Sequence, residues 1–290
     1  MVKIPSNMHT TQFMLDTLPD IQETRRPYLG MSSLASDCTR KIWYGFRFAT
    51  KKVIPAKVMR IFKRGDWEEH RIIKDLKEIG IEVYRLENGE KIEIFGMHGE
   101  KQEEIIGFAE HAKGHIDGRC IGVIEAPKTE HLLEMKTMNS ARFKKFCDKG
   151  VQESDPVYYG QAQRYMDGIG ATRALFISTN KDNEDRQVER IRIDKEYVAD
   201  LKRREQDIIM SDSPNLWEKF SRSWYACKGC AAYDVCQNEA EPVRSCRNCE
   251  HVDLAMEGKW VCGLNNDREL SLEEQISLSA CNGKSYRRLF

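Results

Sequence analysis

The chain has 290 residues, 40% hydrophobic and 32% charged, and its 46 basic side chains are balanced by 46 acidic ones. That composition excludes an intrinsically disordered chain and a uniformly basic nucleic-acid coat protein, while leaving room for a basic groove offset by acids elsewhere. No apolar run approaches the roughly 20 residues of a membrane span, and the opening MVKIPSNMHT has no signal-peptide core, so a cytoplasmic protein without membrane contact is expected.

In chain order, residues 32–48 read as a helix opening on Ser32 or Ser33, with Cys38 partway along it. Between Ser36 and Arg64 the sole acid is Asp37, against Arg40, Lys41, Arg47, Lys51, Lys52, Lys57, Arg60, Lys63 and Arg64. Trp43, Tyr44, Phe46 and Phe48 interleave with these charges. Such a run is either a solvated face or a surface that tracks a phosphate backbone, and in the second case Arg40, Lys41 and Arg47 are the DNA-binding candidates. A helix over 61–79 carries an apolar stripe of Ile72, Ile73, Leu76 and Ile79 and stops at Gly80. Strand patterns at 81–87, 91–96, 104–124 and 131–138 suggest an antiparallel meander. Helices over 141–149 and 157–169, a strand at 173–179 and a helix over 195–210 complete a mixed α/β core.

The chemistry concentrates in Gly114-His115-Ile116-Asp117-Gly118 and in Glu134-Met135-Lys136. On a strand, residues two apart share a face, so Glu134 and Lys136 project together while Leu133, Met135 and Thr137 point the other way. A carboxylate and an ammonium presented beside an apolar face need partners, and an Asp on the adjacent strand with a divalent cation would supply them. Phosphodiester hydrolysis asks for such a set. Asp117 and Glu134 would hold Mg²⁺ or Mn²⁺, with His115 as an additional ligand, and Lys136 would orient water or stabilise developing charge. The tripeptide by itself also fits an exposed ion pair.

GHIDG followed by LLEMKT resembles the PD-(D/E)XK nuclease superfamily, and more narrowly its RecB/Cas4-like branch. Gln161 and Tyr165 resemble that branch's QxxxY motif, which contacts the nucleic-acid strand or the active site. Gly65-Asp-Trp-Glu-Glu69-His70 resembles its GxxxE/H motif, in which Glu69, or His70 with one extra residue, would face the metal. The resemblance implies a restriction-endonuclease-like core, a mixed central sheet flanked by helices, with Asp117, Glu134, Lys136, Gln161, Tyr165 and Glu69 as catalytic residues and the Met135 carbonyl as a further metal ligand. It implies a metal-dependent DNA exonuclease acting at ends or in single strands during recombination, repair or replication. The competing readings are a non-catalytic iron-sulphur DNA-binding or scaffold protein and a nuclease of CRISPR adaptation.

Ten cysteines in a reducing compartment point to metal ligation rather than disulfides. Cys38, Cys227, Cys230 and Cys236 match the branch's iron-sulphur arrangement, which implies a [4Fe-4S] cluster clasping the start of the domain to its end; spacing alone equally fits zinc. Cys246, Cys249, Cys262 and Cys281 read as a four-cysteine zinc module, with His251 as a substitute ligand, which departs from the minimal family pattern and suggests a phage or mobile-element relative. Cys120 and Cys147 are left without a role. The expected division is a nuclease domain over 1–240 and a zinc module over 241–290. DNA is the expected partner, with a single-strand annealing or binding protein or a separate helicase beside it, since no GxxxxGK[ST] loop is present. For a phage-encoded chain the location would be the host cytoplasm.

Overall fold

The computed structural model describes residue 11 and residues 21–22, 25–51 and 53–290. The opening decapeptide and Lys52 of the basic run lie outside the described residues.

Among the described residues, two sheets and the helices packed on them build the main body, beside a short antiparallel pairing of Ile21–Gln22 with Val53–Ile54. The strands of these two sheets are β1 (Leu29–Gly30), β2 (Glu82–Glu87), β3 (Glu90–Glu93), β4 (Glu103–Ile106), β5 (Ala112–Ile116), β6 (Gly118–Ile121), β7 (His131–Met138), β8 (Arg173–Asn180) and β9 (Arg186–Arg192). The helices are α1 (Thr39–Phe46), α2 (Ala56–Glu78), α3 (Ser140–Ser154), α4 (Pro156–Ile169) and α5 (Lys195–Met210). A six-stranded mixed sheet has the order β9-β8-β7-β6-β2-β3, and β7 and β8 are its parallel pair. A smaller sheet has the order β1-β5-β4. The fold is mixed α/β, with helices against both faces of the larger sheet.

Period-2 alternation on β7 explains that layering. Leu133 and Met135 enter a cluster with Ile72, Ile73 and Leu76 of α2, while Leu132 and Met138 enter a second, larger cluster with Phe143, Phe146 and Met166 of α3 and α4. A strand covered on both sides is a near-continuous apolar run. Glu134 and Lys136 are therefore exceptions within buried sequence.

The segment read as one strand pattern over 104–124 is divided. β4 pairs with β5 in the small sheet, β6 pairs with β7 in the large one, and Asp117 is the bend residue between β5 and β6. The helix expected over 32–48 begins later, at Thr39, with Cys38 as its N-cap residue rather than an interior one. Ser36 forms a tight turn back to Ser33, and Arg204 donates to the Ser36 carbonyl and to Thr39 Oγ1, so these polar groups are satisfied outside a helix. α5 starts on Asp194, whose carboxylate accepts from the amides of Glu196 and Tyr197.

Beyond residue 240 the chain forms β10 (Val252–Leu254), β11 (Trp260–Cys262) and β12 (Arg268–Glu269), followed by the short helix Leu272–Ser277. This segment does not stand apart from the main core. Trp260 is buried against Phe46 at 5.2 Å and His111 at 5.6 Å between ring centroids, and Phe290 packs on Trp43 at 4.8 Å.

α4 passes close over β5, and Gly114 makes that approach feasible: a Cβ there would lie 2.5 Å from Tyr165 Cε1. Gly114→Ala should therefore force α4 off β5 and cost about 1–3 kcal/mol. Thermal denaturation of the variant checks it, and an unchanged Tm would contradict the packing described.

Candidate active site

Glu134 is completely buried. Its Oε1 accepts from Gln161 Nε2 at 2.8 Å and from Lys136 Nζ, while its Oε2 is buried with no hydrogen-bond partner. The Lys136 ammonium also donates to the Met135 carbonyl at 3.1 Å and lies 3.9 Å from Asp117 Oδ2. Asp117 Oδ2 accepts the Met135 amide at 2.8 Å, which fixes the bend residue against β7. One cation is thus shared by two carboxylates and a main-chain oxygen. Burial alone would lower the Lys136 pKa, but Glu134 and Asp117 more than reverse this and hold the ammonium well above its usual value.

Glu69, on the turn of α2 that crosses this point, lines a cleft with Asp117, Ile116, Arg85 and Lys101. Its carboxyl is pushed up from its ordinary 4.5 to about 8, first by burial and then by Asp117, against the opposing pull of Lys136. The neighbouring His70 turns away and engages the Phe95 carbonyl through Nδ1 at 2.6 Å. Of the two registers left open by the sequence, Glu69 is the residue that meets Asp117. Gly96, with φ +67°, seats the loop after β3 against α2; a Cβ there would come within 2.9 Å of the His70 amide.

Gln161 and Tyr165 are one turn apart on α4, and both face the buried acids. Burial, then Glu134 and Asp117, raise the Tyr165 hydroxyl's pKa, and the His115 main chain hydrogen-bonds to that hydroxyl. The His115 imidazole itself faces Glu104 across the strand pair, Nε2 to Oε2 3.5 Å, with Tyr28 at 6.0 Å between ring centroids. It is outside the hydrogen-bonded set around Glu134. Tyr158 was not anticipated: its ring lies 5.4 Å from Lys136 Nζ and also receives the Arg142 guanidinium at 5.1 Å. Its place three residues before Gln161, on the same helix face, is the signal that could have found it.

Among the described residues, no three His, Cys, Asp or Glu side chains are already grouped to hold a metal ion. The carboxylates of Asp117 and Glu134, with the Met135 carbonyl beside them, are the oxygen donors present here. Hard divalent cations take such carboxylate and carbonyl oxygens, and the unpartnered Glu134 Oε2 gives a further donor, so the residues fit Mg²⁺ or Mn²⁺. Cys38, Cys227, Cys230 and Cys236 border one cavity together with Arg40, Lys41 and Tyr44. Burial first, and also Cys230 and Cys236, raise the Cys38 thiol's pKa. In the C-terminal segment, Cys246 and Cys262 share an apolar cluster with Leu270 and Leu278. The Cys246 thiol is pushed up to about 12 by burial and by Cys281, Cys249 and Cys262. His251 pairs with Glu250 at 3.6 Å.

Two of the three DNA-binding candidates require correction. Arg47 is buried and donates to Ser211 O at 2.7 Å, Asp212 Oδ1 at 3.2 Å and the Arg247 carbonyl. Arg40 is buried as well and reaches Trp217 O and Asn215 Oδ1. Their guanidiniums tie α1 to later parts of the chain, so neither is open to a phosphate. Trp43, Tyr44, Phe46 and Phe48 are likewise core residues. Lys41 is exposed.

No protein-family model and no curated protein matches the sequence. Among solved structures, the alkaline exonuclease LHK-Exo from Laribacter hongkongensis is similar at TM-score 0.44 and 17% identity, over 63% of this chain and 87% of that one. Its complex with dAMP gives TM-score 0.45 and 18% identity over the same shares of the two chains. The structure of SSO0001 gives TM-score 0.39 and 18% identity, covering 79% of this chain and 97% of that one. A likeness of this degree decides neither family nor activity. No helix among the described residues is long and apolar enough to cross a membrane.

A carboxyl raised by folding holds a proton that the unfolded chain releases, so Glu69 makes stability fall as pH rises from 4.5 through about 8. Metal-free protein should show a declining Tm across that window, and Glu69→Gln should flatten the decline. A slope unchanged in the variant would show that Glu69 is not the group responsible.

Proposed function

We propose that this protein is a divalent-metal-dependent deoxyribonuclease, an exonuclease acting on DNA ends or single strands. The observation that carries the reading is the sharing of the Lys136 ammonium among Glu134 Oε1, the Met135 carbonyl and Asp117 Oδ2, with Asp117 also lining a cleft beside Glu69. Isolated in a core, two carboxylates and an amine are costly; around a phosphodiester they are the parts of a hydrolytic site.

In this reading Asp117, Glu134 and the Met135 carbonyl hold Mg²⁺ or Mn²⁺. The bound cation supplies Lewis-acid polarisation of the phosphoryl oxygen and a lowered pKa for water. Gln161 fixes the Glu134 carboxylate through Oε1 and leaves Oε2 unpartnered. Lys136, its charge secured by two acids, orients the attacking water or stabilises charge on the phosphoryl oxygens. Tyr158 and Tyr165 wall the site on the α4 side. Glu69 adds an acid at the mouth, and His115 would have to turn from Glu104 to serve as a ligand.

The cysteine sets are read as two further metal centres. Cys38, Cys227, Cys230 and Cys236 would carry a [4Fe-4S] cluster after their thiols turn into the cavity they border, and Cys246, Cys249, Cys262 and Cys281 would carry Zn²⁺. Both would hold parts of the fold rather than take part in hydrolysis.

End-labelled single- and double-stranded DNA incubated with Mg²⁺ or Mn²⁺ should be shortened from an end. Asp117→Ala, Glu134→Ala and Lys136→Ala should each reduce the rate by at least about a hundredfold, the scale of losing one electrostatic stabiliser. Binding without cleavage in either metal would instead favour a DNA-binding scaffold. Protein purified without oxygen should be brown, with iron and sulfide lost in Cys227→Ser and one zinc lost in Cys246→Ser. Colourless protein with two zinc ions per chain would reassign the first site.

A further inference from the structure

α2 has 23 residues, but apart from Ala56 at its start the core uses only its later half. Ile72, Ile73 and Leu76 are at most 8% exposed, whereas Ile61 and Phe62 on the first half are 45% and 50% exposed. At 100° per residue Val58, Phe62, Glu69, Ile73 and Leu76 fall within about 40° of a common line, with Ile61 and Ile72 together along one border of that stripe. The stripe that buries the helix therefore runs on past the sheet, and at the crossing point its apolar residue is replaced by Glu69 of the candidate site. Phe62 lies about 10 Å along the helix from Glu69.

Charge flanks the overhang. Lys57 and Lys63 lie on opposite sides of the stripe, both exposed, and among the described residues neither has a hydrogen bond or ion pair. Arg64 is committed to Glu184 at 3.7 Å. An apolar face bordered by uncommitted cations, leading to acids, suits a chain with flat hydrophobic bases and regularly spaced phosphates.

We propose that the first half of α2 is a single-strand guide that seats bases on Ile61 and Phe62 and phosphates on Lys57 and Lys63, directing the strand to Glu69. The proposal rests on the nuclease reading for its destination, but the binding surface itself can be tested without cleavage. It also relocates the basic, aromatic-rich feature of the sequence: the part on α1 is structural, and the part on α2 is open.

The test is fluorescence anisotropy of a labelled oligothymidine with the full chain carrying Asp117→Asn, so that no strand is cut during the measurement. Phe62→Ala should weaken binding about tenfold, the range of losing one base–aromatic stack, and Phe62→Trp should restore it. Lys57→Gln and Lys63→Gln should each weaken binding and lower the slope of log K against log salt by about 0.7, one single-strand phosphate contact apiece. Trp67→Ala, on the opposite side of α2, should bind as the parent does. Parent-like affinity and salt slope in Phe62→Ala and Lys63→Gln would overturn the proposal. So would a Phe62→Ala effect confined to self-association in sedimentation velocity, which would make the face a contact between copies. If Asp117→Asn still cleaves DNA, the site assignment fails while the binding result continues to judge the guide.

Discussion

A carboxylate with no solvent exposure, Glu134 on β7, is the constraint around which the centre of the molecule is arranged. Burying it demands an ammonium in contact and an amide donor from α4, and that ammonium in turn faces Asp117, which accepts the Met135 amide of the same strand; each contact fixes a different element. α4 must approach closely, so β5 carries glycine at the crossing. β7 must be covered on its other face, so α2 lies there and brings Glu69 with it. A buried ion pair contributes little net stability compared with apolar packing. The arrangement is therefore better understood as positioning than as stabilisation.

A second polar centre lies where the C-terminal segment meets α1. The buried Arg247 donates to Gln275 Oε1 at 2.7 Å, Pro27 O at 2.8 Å and Phe46 O at 3.2 Å, and stacks 4.1 Å from the Phe48 ring centroid and 4.4 Å from that of Trp260. Burial first, then Arg47 and Arg25, hold its pKa well below the usual value. Carbonyl dipoles and aromatic faces replace the counter-ion that such a group usually takes. Early and late residues of the chain share this contact, so the end of α1 and the segment around Arg247 are positioned by common packing.

The sequence was most informative where one local period governs the structure. The bounds of α5 were legible because Asp194 caps an uninterrupted helical pattern, and the opposite facing of Glu134 and Met135 followed from strand alternation alone. Three features were not legible, each for a reason of distance. The parallel pairing of β7 with β8 depends on a crossover through two helices. The switch between sheets at Asp117 leaves no mark in a run that alternates on both sides of it. The burial of Arg40 and Arg47 depends on partners more than 160 residues away, so local charge density pointed to the surface.

The position of Asp117 between two sheets has a mechanical meaning. Its carboxylate is anchored to β7, yet its backbone belongs to a chain that leaves one sheet and enters the other at that residue. The separation of the two candidate metal-ligating carboxylates is thereby coupled to the angle between the sheets, in the manner of a caliper whose jaws are set by its frame. Substitutions in β1 or β4, remote from any chemistry, can alter the spacing of Asp117 and Glu134 without touching either residue.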